Sequence, residues 1–76
     1  MSASKLMEAA AGDAVRMQNH LSRCRQYAND LGFDDRVLLE VQAAHALEQS
    51  FRALAAQLAT AELRRKVATR RQGRAS

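Results

Sequence analysis

Apolar residues recur along the first part of the chain at Met7, Ala10, Ala14, Met17, Leu21, Cys24, Ala28 and Leu31, in alternating steps of three and four. Such steps place side chains on one narrow stripe of an α-helix, the seam of a coiled coil rather than the broad face of a helix sunk in a globule. A second stripe, Val37, Val41, Ala44, Leu47, Phe51, Leu54, Leu58 and Ala61, follows the same pattern. Between the two, Leu31-Gly32-Phe33-Asp34-Asp35 sets a helix stop directly against a helix start. Gly32 can take the left-handed conformation that ends a helix, and Phe33 can fold back on the last turn near Ala28. Asp34 is expected to cap the second helix, with Phe33 and Leu38 as a hydrophobic staple and Asp35 complementing the dipole. The pattern predicts one all-α domain over residues 1–76, an antiparallel two-helix hairpin of coiled-coil type. Helix one is expected at about residues 4–31, the turn at 32–34 and helix two at about 35–70.

Composition changes what this hairpin can do alone. Of the 76 residues, 47% are hydrophobic, but 16 of those 36 are alanine. The larger apolar side chains are few for an independent core, and small chains bury only ~60% of their unfolded surface. Proline and tryptophan are absent and glycine occurs three times, which suits long helices and argues against sheets. Helix two also carries apolar flanks, with Leu39, Ala43, Ala46, Ala53 and Ala56 on one side and Leu38 and Ala55 on the other. A hairpin has no third element to cover them, so completion by a partner or by dimerisation is expected.

The formal charge of +4 divides unevenly. Residues 63–76 hold Arg64, Arg65, Lys66, Arg70, Arg71 and Arg74 and no acid, leaving a body that is net −2. This basic tail (64–76) is a candidate nucleic-acid contact, because clustered cations give salt-dependent, sequence-blind affinity for phosphates. It has no aromatic residue for base stacking. Its first cations can equally stabilise the C-terminal end of helix two through the dipole.

Chemistry of other kinds finds little support. His20 and Cys24 share a helix face and His45 can approach from helix two, but no fourth zinc ligand accompanies them. A cysteine nucleophile would need a cleft and oxyanion donors. Glu48/Arg52 and Glu62/Lys66 are i,i+4 pairs of the kind that support helix surfaces. No catalytic residue, cofactor or metal is expected. The single cysteine excludes an internal disulfide, no apolar run has the length of a signal peptide or membrane span, and a cytoplasmic setting is expected.

Leu21-Ser22-Arg23-Cys24-Arg25, a glycine-containing turn, and Gln42-Ala43-Ala44-His45-Ala46-Leu47-Glu48 followed by Leu54 and Leu58 resemble the small co-chaperones of type III secretion needle subunits. The similarity spans roughly residues 14–58. The chain departs from the family in its somewhat greater length, its tight Gly-Phe-Asp-Asp turn and its arginine-rich tail. The resemblance implies a non-enzymatic bacterial protein that binds a tetratricopeptide-like chaperone and, through it, helps keep a needle subunit soluble and unpolymerised. Met17, Leu21, Cys24, Leu39, Val41, Leu47, Phe51, Leu54 and Leu58 would then be divided between closing the hairpin and docking the partner. The alternative is a regulator in which two hairpins dimerise as a four-helix bundle and present the basic tails to RNA or DNA.

Overall fold

The computed structural model describes the backbone of residues 2–75 and the side chains of residues 2–70. Helix α1 spans Ala3–Ala28, a single 3₁₀ turn spans Asn29–Leu31, and helix α2 spans Asp34–Ala75. The two helices pack antiparallel, as the hydrophobic pattern predicts. The hairpin measures 70 × 17 × 8 Å, with a radius of gyration of 19.2 Å, against ~11 Å for a compact chain of this length. Every side chain is therefore close to the surface.

The break is built by Gly32, whose φ of 80° lies in the left-handed region. Its N–H donates to the Asn29 carbonyl and the Phe33 N–H donates to the Ala28 carbonyl, both at 3.1 Å. These two bonds form a complete Schellman motif and satisfy carbonyls that the helix end would leave free. An L side chain at this φ costs ~1–2 kcal/mol, and no atom crowds the position. Gly32→Ala is accordingly expected to lower hairpin stability by about 1–2 kcal/mol through backbone strain alone, read by chemical denaturation.

Helix α2 starts differently from the expected cap. The first helical bond runs from the Val37 N–H to the Phe33 carbonyl at 3.0 Å, so Phe33 holds the capping position and its ring is exposed. The Asp34 carboxylate turns away from the helix. It accepts from Arg25 Nε at 2.8 Å and Arg25 Nη2 at 3.3 Å, a two-pronged tie across the closed end. A charge-assisted fork to guanidinium outweighs a bond to a solvated backbone N–H.

Along its length the hairpin is closed by alanine. Ala11 and Ala14 are fully buried, and Ala28, Ala44 and Ala55 nearly so, whereas among the described residues no large side chain is fully buried. The seam of α1 is the buried and half-buried row Ser4, Met7, Ala11, Ala14, Gln18, Leu21, Arg25 and Ala28, with Ala10, Gly12 and Val15 half-buried beside it. Those of α2 are Asp34, Val37, Val41, Ala44, Glu48, Phe51, Ala55, Leu58 and Glu62, joined by Leu38 at the first turn. Both stripes follow the heptad pattern, yet each is rotated from the expected one. Met7, Ala14, Leu21 and Ala28 are common to the expected and observed α1 stripes. Met17, Cys24 and Leu31 are exposed and Ala10 is half-buried beside the seam, while Ser4, Ala11, Gln18 and Arg25 lie in it. In α2, Leu47, Leu54 and Ala61 give way to Glu48, Ala55 and Glu62. In heptad terms the seam is a/d, and the expected stripe was d/g.

Polar pairing accounts for the rotation. The Ser4 N–H donates to Glu62 Oε1 at 3.0 Å and the Ser4 hydroxyl donates to Glu62 Oε2 at 2.8 Å. One seam carboxylate of α2 thus caps the N-terminal turn of α1, beside the local cap in which the Ser2 hydroxyl accepts from the Lys5 N–H. Midway, Gln18 Nε2 donates to Glu48 Oε1 at 2.8 Å, and Arg52 Nε donates to Glu48 Oε2 at 2.8 Å. Polar side chains at seam positions are costly unless partnered, and partnered ones specify register. Alanines between them let the helices come close enough for these short reaches. Glu62 therefore serves the other helix rather than pairing with Lys66, and Glu48 does both.

These bonds make the hairpin acid-sensitive. Hydrogen bonds from the Ser4 backbone and hydroxyl hold the Glu62 carboxyl below the ordinary glutamate value. Bonds from Gln18 and then Arg52 do the same for Glu48. A carboxylate depressed in the folded state contributes stability that is fully present above the unfolded value of ~4.3 and is lost as pH falls through the folded value. The melting temperature, followed by circular dichroism, is expected to fall between about pH 5 and pH 2, and less steeply in Glu62→Gln. An identical acid dependence in that variant would show that Glu62 does not clamp α1.

Candidate partner-binding face

The rotation of the seam decides what the hairpin presents to its surroundings. In an antiparallel pair, the g positions of both helices flank the seam on one side and the e positions on the other. The g side carries Ala10, Met17, Cys24 and Leu31 from α1 and Leu47, Leu54 and Ala61 from α2, with Glu40 as its one carboxylate. The e side carries Glu8, Val15, Ser22 and Asn29 facing Leu38, His45, Arg52, Ala59 and Lys66, and is mixed and charged. One face of the hairpin is apolar and the other is not.

The register set by Ser4–Glu62 and Gln18–Glu48 brings Met17 level with Leu47 and Ala10 level with Leu54. Met17 is 43% exposed, Leu47 40% and Leu54 41%. Leu21, Phe51 and Leu58, half-buried in the seam, form the floor between these rows. Towards the turn the face continues through Cys24, Leu31 and Phe33, all exposed. These apolar positions form a continuous row beside the seam, with Glu40 at its edge.

The nine apolar residues singled out from the sequence thus separate into three groups. Leu21, Val41, Phe51 and Leu58 sit in the seam, while Met17, Cys24, Leu47 and Leu54 line the exposed face. Leu39 lies on the outer side of α2, away from both, and is exposed. The sequence pattern left these residues divided between hairpin closure and docking, and the structure places Met17, Cys24, Leu47 and Leu54 outside the seam. The clamping roles of Glu48, Glu62 and Asp34 were not anticipated. Their signal is a polar residue recurring at one heptad position, Gln18 and Arg25 seven apart in α1 and Asp34, Glu48 and Glu62 fourteen apart in α2.

The remaining candidate chemistry does not converge. His20 and Cys24 are exposed on α1, and His45 Nδ1 lies 3.8 Å from Glu48 Oε1. Among the described residues, no three His, Cys, Asp or Glu side chains are grouped to hold a metal ion. No helix among them is long and apolar enough to cross a membrane. Of the basic tail, Arg64, Arg65, Lys66 and Arg70 are exposed on α2, and the side chains of Arg71 and Arg74 lie outside the described residues. Compared with known proteins, the chain matches no family model, no curated protein and no solved structure.

Proposed function

We propose that the chain is a non-enzymatic co-chaperone of the cytoplasm, which docks the Met17/Leu47/Leu54 face onto the helices of a tetratricopeptide-like chaperone. Through that partner it helps keep a self-assembling type III secretion needle subunit soluble. The observation that carries the reading is the separation of duties between side chains. Alanines and polar clamps close the hairpin, and the larger methionine and leucine side chains beside the seam stay available. A helix laid in an apolar groove is held by a few such anchors. The resemblance of the segment around Gln42–Glu48 to needle-subunit co-chaperones supplies the identity of the partner.

Co-expression with a tetratricopeptide-type chaperone and its needle subunit tests this. A complex surviving gel filtration is expected, with the needle subunit recovered as an unpolymerised species. Recovery of the hairpin alone, with the needle subunit polymerising at the same rate in its presence, would sink the proposal.

A further inference from the structure

The basic segment has a geometry that composition alone does not reveal. Helix α1 begins at Ala3 and its first turn is tied to Glu62, whereas α2 continues to Ala75. Beyond Glu62, α2 therefore runs on past its partner for some 13 residues, ~20 Å at 1.5 Å per residue. The dipole explanation for its first cations fails here. Dipole effects fall off within the last turn, and Arg64, Arg65 and Lys66 lie more than two turns before Ala75.

Consecutive residues on an α-helix point ~100° apart, so Arg64, Arg65 and Lys66 spread their charges over most of the circumference. Arg70 adds a fourth exposed cation, and no acid lies between Leu63 and Ala75. At the step where α1 begins, Lys5 joins Arg65, Lys66 and Arg70 around an open notch also lined by Ala59, Glu62 and Leu63. A flat anionic surface touches one side of a helix and leaves the cations opposite unpaired. A single acidic helix does the same. A duplex groove differs, because it sets phosphates along both sides of an inserted helix. The B-DNA major groove is ~12 Å wide, and a helix with its side chains is ~10–12 Å across.

We infer that the overhanging end of α2 binds double-stranded DNA, by inserting in the major groove and pairing Arg64, Arg65, Lys66 and Arg70 with backbone phosphates on both walls. The geometry is that of a basic helix continuing out of a coiled coil. With only phosphate contacts, the binding is independent of base sequence. This surface lies at the open end of the hairpin and on the unpaired part of α2, apart from the Met17/Leu47/Leu54 face.

Fluorescence anisotropy of the full chain with a labelled 20-base-pair DNA duplex, over a range of salt, tests the inference. Binding is expected at 50 mM salt, with log K falling by ~0.9 per decade of salt for each phosphate neutralised. The quadruple variant Arg64→Gln, Arg65→Gln, Lys66→Gln, Arg70→Gln should shallow that slope by about 3 to 4, and Arg65→Gln alone by about 1. Circular dichroism serves as the folding check, since all four side chains are exposed. Absence of binding at 50 mM salt, or an unchanged slope in the quadruple variant, overturns the inference. Equal or tighter binding to polyglutamate, or to phosphatidylserine-containing vesicles, overturns it in favour of an acidic protein or a membrane surface.

Discussion

Replacing Leu47 and Leu54 together by aspartate is expected to abolish capture of the helical chaperone while leaving the hairpin folded. Both side chains are about two-fifths exposed and neither belongs to the seam, so the isolated fold loses little when they become polar. In the proposed complex they would be central, beside Ala10 and Met17 on the other helix. Truncating an interface anchor costs ≥2 kcal/mol, so the pair is expected to weaken binding roughly a thousandfold. Isothermal titration against the chaperone reads the affinity, and circular dichroism reads the fold. Full affinity in the folded double variant would mean that the partner sits elsewhere. Loss of helicity in the variant alone would mean that Leu47 and Leu54 close the hairpin after all.

The second large effect is expected in the seam. Ala11 has no exposed surface and Ala55, also buried, lies on the facing stripe of α2, both between the Ser4–Glu62 and Gln18–Glu48 clamps. Ala11→Leu inserts three extra carbons at a seam position with no exposed surface. Overpacking of this kind costs ~1–3 kcal/mol, and for a domain of this size each kcal/mol moves the melting temperature by ~4–8 °C. A fall of about 10 °C is expected, together with loss of the Ser4–Glu62 tie as the axes are forced apart. Ala53→Leu, on an exposed position of α2, is the control and should leave the melting temperature within a few degrees. Equal effects of the two substitutions would show that no close alanine seam exists.

The two variants together separate what was legible in the sequence from what was not. The helix break at Gly32 and the antiparallel pairing follow from local signals, a left-handed glycine and two heptad stripes, and the structure has both. The division of each stripe is a property of the pair of helices and not of either one. Read singly, α1 prefers to bury Met17 and Cys24 over Gln18 and Arg25, because apolar residues are the cheaper ones to bury. Only when α2 is laid alongside do Glu48 and Asp34 become available to Gln18 and Arg25, and the polar choice becomes affordable. The Asp34 cap failed for the same reason. A local motif predicted its carboxylate, and a residue nine positions earlier claimed it.

The alanine seam also governs how the exposed face is felt by whatever lies on it. Helix axes separate by ~8–10 Å depending on the side chains between them, and alanine sets the short end of that range. The Met17 row and the Leu47/Leu54 row are thereby drawn together, so that in the proposed complex one incoming helix would rest astride both. Its contacts with α1 and with α2 are then made or lost together. Substitutions at Met17 and Leu47 should couple in a double-mutant cycle instead of adding as independent sites do. A hairpin splayed by a larger residue at Ala11 would turn one cradle into two separate ridges, and the coupling would vanish before the binding did.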